Sequence, residues 1–193
     1  MSSDFLGKSI IVSAPSGAGK TTLVRHLLSE RTDLCFSISA TNRPKRKGEE
    51  DGKDYYFLSD EEFKSRIRNN EFLEWEEVYE GRFYGTLNQE VERIWSKNKH
   101  VVFDVDVIGG LHLKKKMGDC ALAIFVSPGH MDVLEERLRK RETEKEEEIL
   151  MRLDKAEEEM KTASQFDYIL INDALDKAKN ELMELTKNFV SNA

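Results

Sequence analysis

The stretch that most constrains the fold lies near the amino terminus. Ser9-Ile10-Ile11-Val12-Ser13 is a short, β-branched run of the kind that makes a strand buried on both faces, and it breaks into Ala14-Pro15-Ser16-Gly17-Ala18-Gly19 before a helical pattern opens at Lys20-Thr21-Thr22. A strand that empties through a glycine turn into a helix sets the helix's unpaired N–H groups at the end of the sheet, aimed at whatever anion lies there. The spacing is that of the phosphate loop GxxxxGK[ST], with Ala14 in place of the first glycine. Alanine is acceptable there if the backbone is extended and strained only at positive φ. In such a loop Lys20 reaches the terminal phosphates as a point charge, and the Thr21 hydroxyl ligates Mg2+. The bland alternative is a glycine turn before a helix that happens to contain lysine.

The rest of the chain repeats the strand-then-helix pattern. Apolar runs at residues 101–105, 121–126 and 168–171 read as further buried strands, and helical segments are expected at 20–28, 87–97, 131–141 and 175–189. In the last of these Leu175, Ala178, Leu182, Leu185 and Phe189 share one face. The pattern predicts an α/β fold with a doubly wound, mostly parallel sheet, and 193 residues suit one domain. Residues 37–86 read differently. Strand-like pieces at 36–39, 55–58 and 72–79, with a Ser59/Glu62 capping box between the last two, suggest a small, partly antiparallel insertion. Residues 140–160 are crowded with charge and lack a broad apolar face, so a mobile helix projecting into solvent is expected.

Charge and cysteine usage narrow the function. The formal charge is -7, so the chain is a poor default binder of nucleic acid or anionic membrane, and any anion must be held by a local cluster of donors. Cys35 and Cys120 lie far apart with no CxxC and read as small core residues; His26, His100, His112 and His130 lack metal-ligand spacing. No stretch approaches the ~20 apolar residues of a membrane span, and residues 1–11 hold no signal-peptide run, so a cytoplasmic protein is expected.

Phe103-Asp104-Val105-Asp106 has the form of a Walker B element, an apolar strand delivering a carboxylate to the sheet edge, although aspartates at strand ends also serve as plain helix caps. Ser39-Ala40-Thr41-Asn42-Arg43-Pro44-Lys45-Arg46-Lys47-Gly48-Glu49 continues through Gly52 to Tyr55 and Phe57, carrying the pattern SxTxRxxRxGExxGxxYxF. Here the chain resembles the guanylate kinase family, over nearly its whole length. The resemblance implies a phosphate-loop core of residues 1–36, 87–128 and 165–193, a GMP-binding region of 37–86 and a helical lid of 129–164. It also implies that Arg43, Arg46, Tyr55 and Tyr84 hold the phosphate of GMP, while Ser39, Glu74, Thr86 and Asp106 read the guanine, with Asp104 beside them. The residue chemistry agrees, because guanidinium groups fork onto a phosphomonoester and a buried carboxylate accepts from guanine N1–H and N2–H2. On residues alone, Arg43 to Lys47 could be a solvated basic run and Glu74 the wet face of an alternating strand.

The resemblance further implies ATP as donor, held by Ser13, Ala14, Pro15, Ser16, Gly17, Ala18, Gly19, Lys20, Thr21 and Thr22, with Asn172 near the adenine. Arg137, Arg141 and Arg152 would close over the phosphates, although each could instead be a surface partner of nearby glutamates. Mg2+ would sit on Thr21, with Asp104 behind it. Ile108, where the family commonly carries Gln, and Glu142, where Gly is usual, depart from the pattern. The expected reaction is γ-phosphoryl transfer from ATP to GMP, with dGMP as a further acceptor and Lys20, Arg43 and the three lid arginines neutralising charge. A guanylate-kinase-like module that binds phosphorylated peptides, and a kinase for another phosphorylated acceptor, stay open beside it. Monomer or homo-oligomer is also open.

Overall fold

The computed structural model describes residues 7–140 and 146–191. The chain opens with strand β1 (Ser9–Ser13), the phosphate-loop segment and helix α1 (Lys20–Glu30), followed by β2 (Leu34–Phe36). It then passes through β3 (Ala40–Thr41), β4 (Tyr56–Phe57), α2 (Asp60–Arg68), β5 (Phe72–Tyr79) and β6 (Arg82–Leu87). The second half holds α3 (Asn88–Trp95), β7 (His100–Val105), α4 (Val107–Met117), β8 (Ala121–Ser127), α5 (Met131–Arg139), α6 (Glu146–Lys161), β9 (Tyr168–Ile171) and α7 (Leu175–Ser191). Among the described residues no helix is long and apolar enough to cross a membrane.

Two sheets organise these elements. The larger runs β2-β7-β1-β8-β9, and all of its pairings are parallel. Strand alternation divides its side chains between two cores. Ile10, Val12, Val102 and Ile124 pack toward α1 and α7 through Leu23, Leu27, Ala178 and Leu182, whereas Ile11, Phe103 and Phe125 pack toward α3 and α4 through Val91, Ile94 and Leu113. Helices on both faces make the fold doubly wound, as the alternating pattern predicts. Such sheets present their strand C-termini to ligands, and here the ends of β1 and β7 stand side by side, with Ser13 paired to Val105.

The smaller sheet runs β4-β3-β6-β5, with β3–β6 and β5–β6 antiparallel. Helix α2 covers it: Phe63 stacks on Phe72 at 4.4 Å and on Phe83 at 5.6 Å between ring centres. The Ser59/Glu62 capping box forms with both of its hydrogen bonds.

Several expectations need correction. Residues 36–39 do not form one strand: Leu34–Phe36 belongs to the large sheet, Ala40–Thr41 to the small one, and the chain crosses between them at 37–39. Strand β6 and helix α4 were not foreseen, since Gly85 interrupts the first pattern and Gly109-Gly110 the second. Cys120 is exposed and Cys35 half-buried, so Cys120 is no core residue. Helix α6 does not simply project into solvent. Ile149, Leu153 and Ala156 form a narrow seam against Leu134 and Leu138 of α5, too thin to register as an apolar face among so many charges. Arg141 and Glu142 lie outside the described residues.

Candidate active site

The phosphate-loop segment turns through Gly17 at φ 100° and Gly19 at φ 93°, conformations that L side chains rarely adopt. A Cβ on Gly19 would collide with the side-chain amide of Asn172, so glycine is demanded by space as well as by torsion. Ala14 is not among the residues at positive φ, and its methyl group is buried without strain. Behind the loop, Asn172 donates from Nδ2 to the Ala18 carbonyl at 2.7 Å, and Arg137 donates to the carbonyls of Asn172 at 2.7 Å and Ala18 at 3.4 Å. Ser13 is wholly buried and donates to the Asp106 carbonyl at 3.0 Å. These side chains brace the loop from behind.

In front of the loop lies a cleft of about 490 Å³. Ala14, Pro15, Ser16, Gly17, Gly19, Lys20, Thr21 and Thr22 form its first end. Lys20 bonds the Asp104 carboxylate and donates to the Val105 carbonyl at 2.8 Å; the Thr21 hydroxyl lies 3.3 Å from the other Asp104 oxygen. Asp104 is thus no helix cap. The cap of α4 is Asp106, which accepts from the Gly109 N–H at 3.0 Å. Arg152 reaches over from α6 to donate to the Ser16 hydroxyl at 2.6 Å.

The second end is built by the small sheet. Ser39, Arg46, Tyr55, Glu74 and Tyr84 line it, together with Asp106 from the large one. Glu74 stands on β5 opposite Thr86 on β6, and the threonine hydroxyl donates to it at 2.8 Å. Only 8% of Glu74 is exposed, so it does not face solvent, and burial pushes its carboxyl up to about 7, helped by Asp106 and Glu76. A Cβ on Gly109 would lie 2.8 Å from Asp106 Oδ1 and 3.1 Å from Glu74 Oε2; glycine there lets both carboxylates share the first turn of α4.

Arg43 and Arg46 are used differently. Arg46 lines the cleft. Arg43 is withdrawn: its guanidinium forks onto Glu49 at 2.7 and 2.6 Å, bonds the Pro44 carbonyl and lies 4.8 Å from the centre of the Tyr55 ring. Arg43 in turn holds the Glu49 carboxyl down to about 2, aided by the Arg46 N–H. Of the residues singled out from sequence, then, Arg43, Thr86, Ser13, Ala18, Arg137 and Asn172 stand behind the cleft wall, and the other described ones stand on it.

The structure also brings in residues that sequence reasoning missed: Val78 and Tyr79 of β5, and Met151, Lys155 and Glu159 of α6. Lys155 lies 5.2 Å from the centre of the Tyr79 ring, so α6 and the small sheet meet across the cleft. The signal for α6 was the spacing 152, 155, 159, one helical face hidden in a run of charge.

A family model for guanylate kinase matches residues 6–188. The chain belongs to the guanylate kinase family. A guanylate kinase of Bacteroides thetaiotaomicron is 51% identical over 96% of this chain and 91% of its own length, and one of Porphyromonas gingivalis is 49% identical over 95% and 98%. The crystal structure of guanylate kinase from Anaplasma phagocytophilum superposes with a TM-score of 0.75 at 27% identity, covering 97% of this chain and 88% of that one. The resemblance read from residues 39–57 therefore extends through the whole guanylate kinase fold. A family kinase of this kind generally uses metal-bound ATP.

Proposed function

We infer that this guanylate kinase family member transfers the γ-phosphoryl group of ATP to GMP, giving ADP and GDP, with dGMP as a further acceptor. One observation carries the reading: a single cleft joins a phosphate loop to a buried Glu74–Thr86 pair, an anion site next to an acceptor of hydrogen bonds. Guanine offers adjacent donors to a carboxylate; adenine does not, and would leave the buried Glu74 with only the Thr86 hydroxyl as a donor. In this reading Ser39, Glu74 and Asp106 meet the base, with Thr86 fixing the Glu74 rotamer. Arg46, Tyr55 and Tyr84 meet the acceptor phosphate, and Arg43 supports them from behind the Tyr55 ring.

The donor phosphates lie on the loop amides, with Lys20 and Arg152 neutralising them, Arg137 and Asn172 fixing the Ala18 carbonyl that anchors the turn, and Arg141 in the lid. Thr21 Oγ1 and the nearby Asp104 carboxylate are hard oxygen donors that would hold Mg2+, and the ion would supply positive charge to offset that of the transferring group. No protein base is required, because the attacking phosphate oxygen is mostly ionised near pH 7. The chain's work is to orient two anions in line and to exclude water when α6 covers the cleft. Residues 37–86 act as the acceptor-binding part and 129–164 as the lid of one cytoplasmic enzyme.

A coupled ADP-release assay over a nucleotide monophosphate panel tests this. Turnover with GMP and not with AMP, CMP or UMP is expected. Absence of ADP release with GMP, in the presence of ATP and Mg2+, would remove the reading and favour a binding module.

A further inference from the structure

Helix α6 lies along the cleft with one face toward it. Arg152, Lys155 and Glu159 occupy positions i, i+3 and i+7, and all three line the cavity. Arg152 stands at the phosphate loop, bonded to Ser16; two turns further along the helix, ~10 Å away, stands Glu159. Only 12% of the Glu159 side chain is exposed, and its ion-pair partner is Lys155 at 3.7 Å. The other charges it feels across the cleft are Asp106 at the base end and Lys20 at the loop, and burial together with Asp106 pushes its carboxyl up to about 7.

A carboxylate is out of place here if the cleft only has to hold phosphates, which it can only repel. Its buried position becomes useful when the ligand brings a hydrogen-bond donor to it. The donors of guanine are already met by Glu74 and Asp106 on the opposite wall. Those that remain on a nucleoside monophosphate are the sugar hydroxyls. They lie between base and phosphate, and Glu159 lines the same cleft as Asp106 and Lys20 and feels the charge of both. We propose that Glu159 is a specificity-determining residue whose carboxylate, steadied by Lys155, accepts a hydrogen bond from a ribose hydroxyl of the acceptor nucleotide. The proposal rests on the GMP kinase reading and deepens it: the lid helix reads the acceptor's sugar, so α6 closes best over a ribonucleotide.

The test compares GMP, 2′-deoxy-GMP and 3′-deoxy-GMP as acceptors for wild type, Glu159→Ala and Glu159→Gln at saturating ATP. Glu159→Ala should lower kcat/KM for GMP by about 10- to 100-fold while changing that for one of the deoxy analogues less than about twofold, because that analogue never made the bond. Glu159→Gln, whose amide oxygen still accepts, should restore part of the preference, and the KM for ATP should not move in either variant. An equal loss for all three acceptors would assign Glu159 a structural role and overturn the proposal, as would no loss for any. Wild type that turns over none of the three would instead strike down the GMP kinase reading, and this proposal with it.

Discussion

The two ends of the cleft are built on opposite principles. At the loop end the lining residues come from one stretch, 14–17 and 19–22, turned by two positive-φ glycines, and the chemistry of such a loop is carried mainly by backbone N–H groups. At the other end, the proposed acceptor site, Ser39, Arg46, Tyr55, Glu74, Tyr84 and Asp106 come from six separate places in the chain, and what they offer is side-chain chemistry. A backbone site can only ask for an anion. A side-chain site can distinguish one base from another, at the cost of burying a carboxylate whose pKa rises to about 7. Common phosphate binding and selective base reading are thus separable, and substitutions should separate them.

The largest effect should come from Lys20→Ala. Turnover should fall ~10^3-fold or more, while calorimetric GMP affinity stays near wild type, since Lys20 contacts Asp104 and Val105 rather than the base-reading wall. Loss of GMP binding as well would show that the two ends are not independent. Glu74→Gln should do the reverse, keeping the KM for ATP while the GMP-to-AMP preference in kcat/KM falls by ~10^2 to 10^4.

That substitution also probes energetics. Glu74 titrates at about 7 when folded against 4.5 ordinarily, so the folded state binds the proton more tightly and wild-type stability declines as pH rises between those values. Glu74→Gln should therefore unfold later than wild type at pH 8, by about 1–3 kcal/mol in chemical denaturation, with the difference vanishing near pH 4. The same titration should appear in binding: guanosine, which lacks the phosphate's own ionisation, should bind more tightly as pH rises through about 7 in wild type, and Glu74→Gln should weaken that pH dependence, leaving only the part due to Glu159.

Smaller changes sharpen the division within the acceptor end. Arg43 is withdrawn and forked on Glu49, so Arg43→Lys, which keeps the charge but loses the fork, should raise the KM for GMP about 3- to 10-fold and leave that for ATP alone. The smallest effect belongs to Ala14→Gly. Because Ala14 is unstrained, restoring the family's glycine should change kcat/KM less than about twofold and lower stability by about 0.5–1 kcal/mol in denaturant titration, through the freer unfolded chain.

The same contrast explains what could be read in the sequence. The loop end was legible because local spacing fixes local backbone, and β1, β7 and β8 were legible because buried parallel strands are continuous apolar runs; β9 was legible as an apolar run but is an edge strand rather than a buried one, with Ile169 and Ile171 exposed. The acceptor end was not legible from pattern alone. Glu74 sits on a strand whose charged residues look wet, and only pairing with β6 shows that Thr86 and the first turn of α4 bury it. Neither β6 nor α4 stood out, because the glycines that weaken their patterns are the ones that let other groups approach: a Cβ on Gly85 would meet Glu74's carbonyl, and one on Gly109 its carboxylate. Glu159 and Lys155 were invisible for a further reason. Their face of α6 is polar like the opposite one, and only tertiary placement tells cleft from solvent.

The direct test of the claim that one cleft holds both nucleotides end to end is titration calorimetry with adenosine and guanosine joined through a polyphosphate bridge. The linked compound should bind with one molecule per chain, far more tightly than ATP or GMP alone, and should be displaced competitively by either. Binding of two molecules per chain, or competition with only one of the nucleotides, would mean that the donor and acceptor sites do not share this cleft.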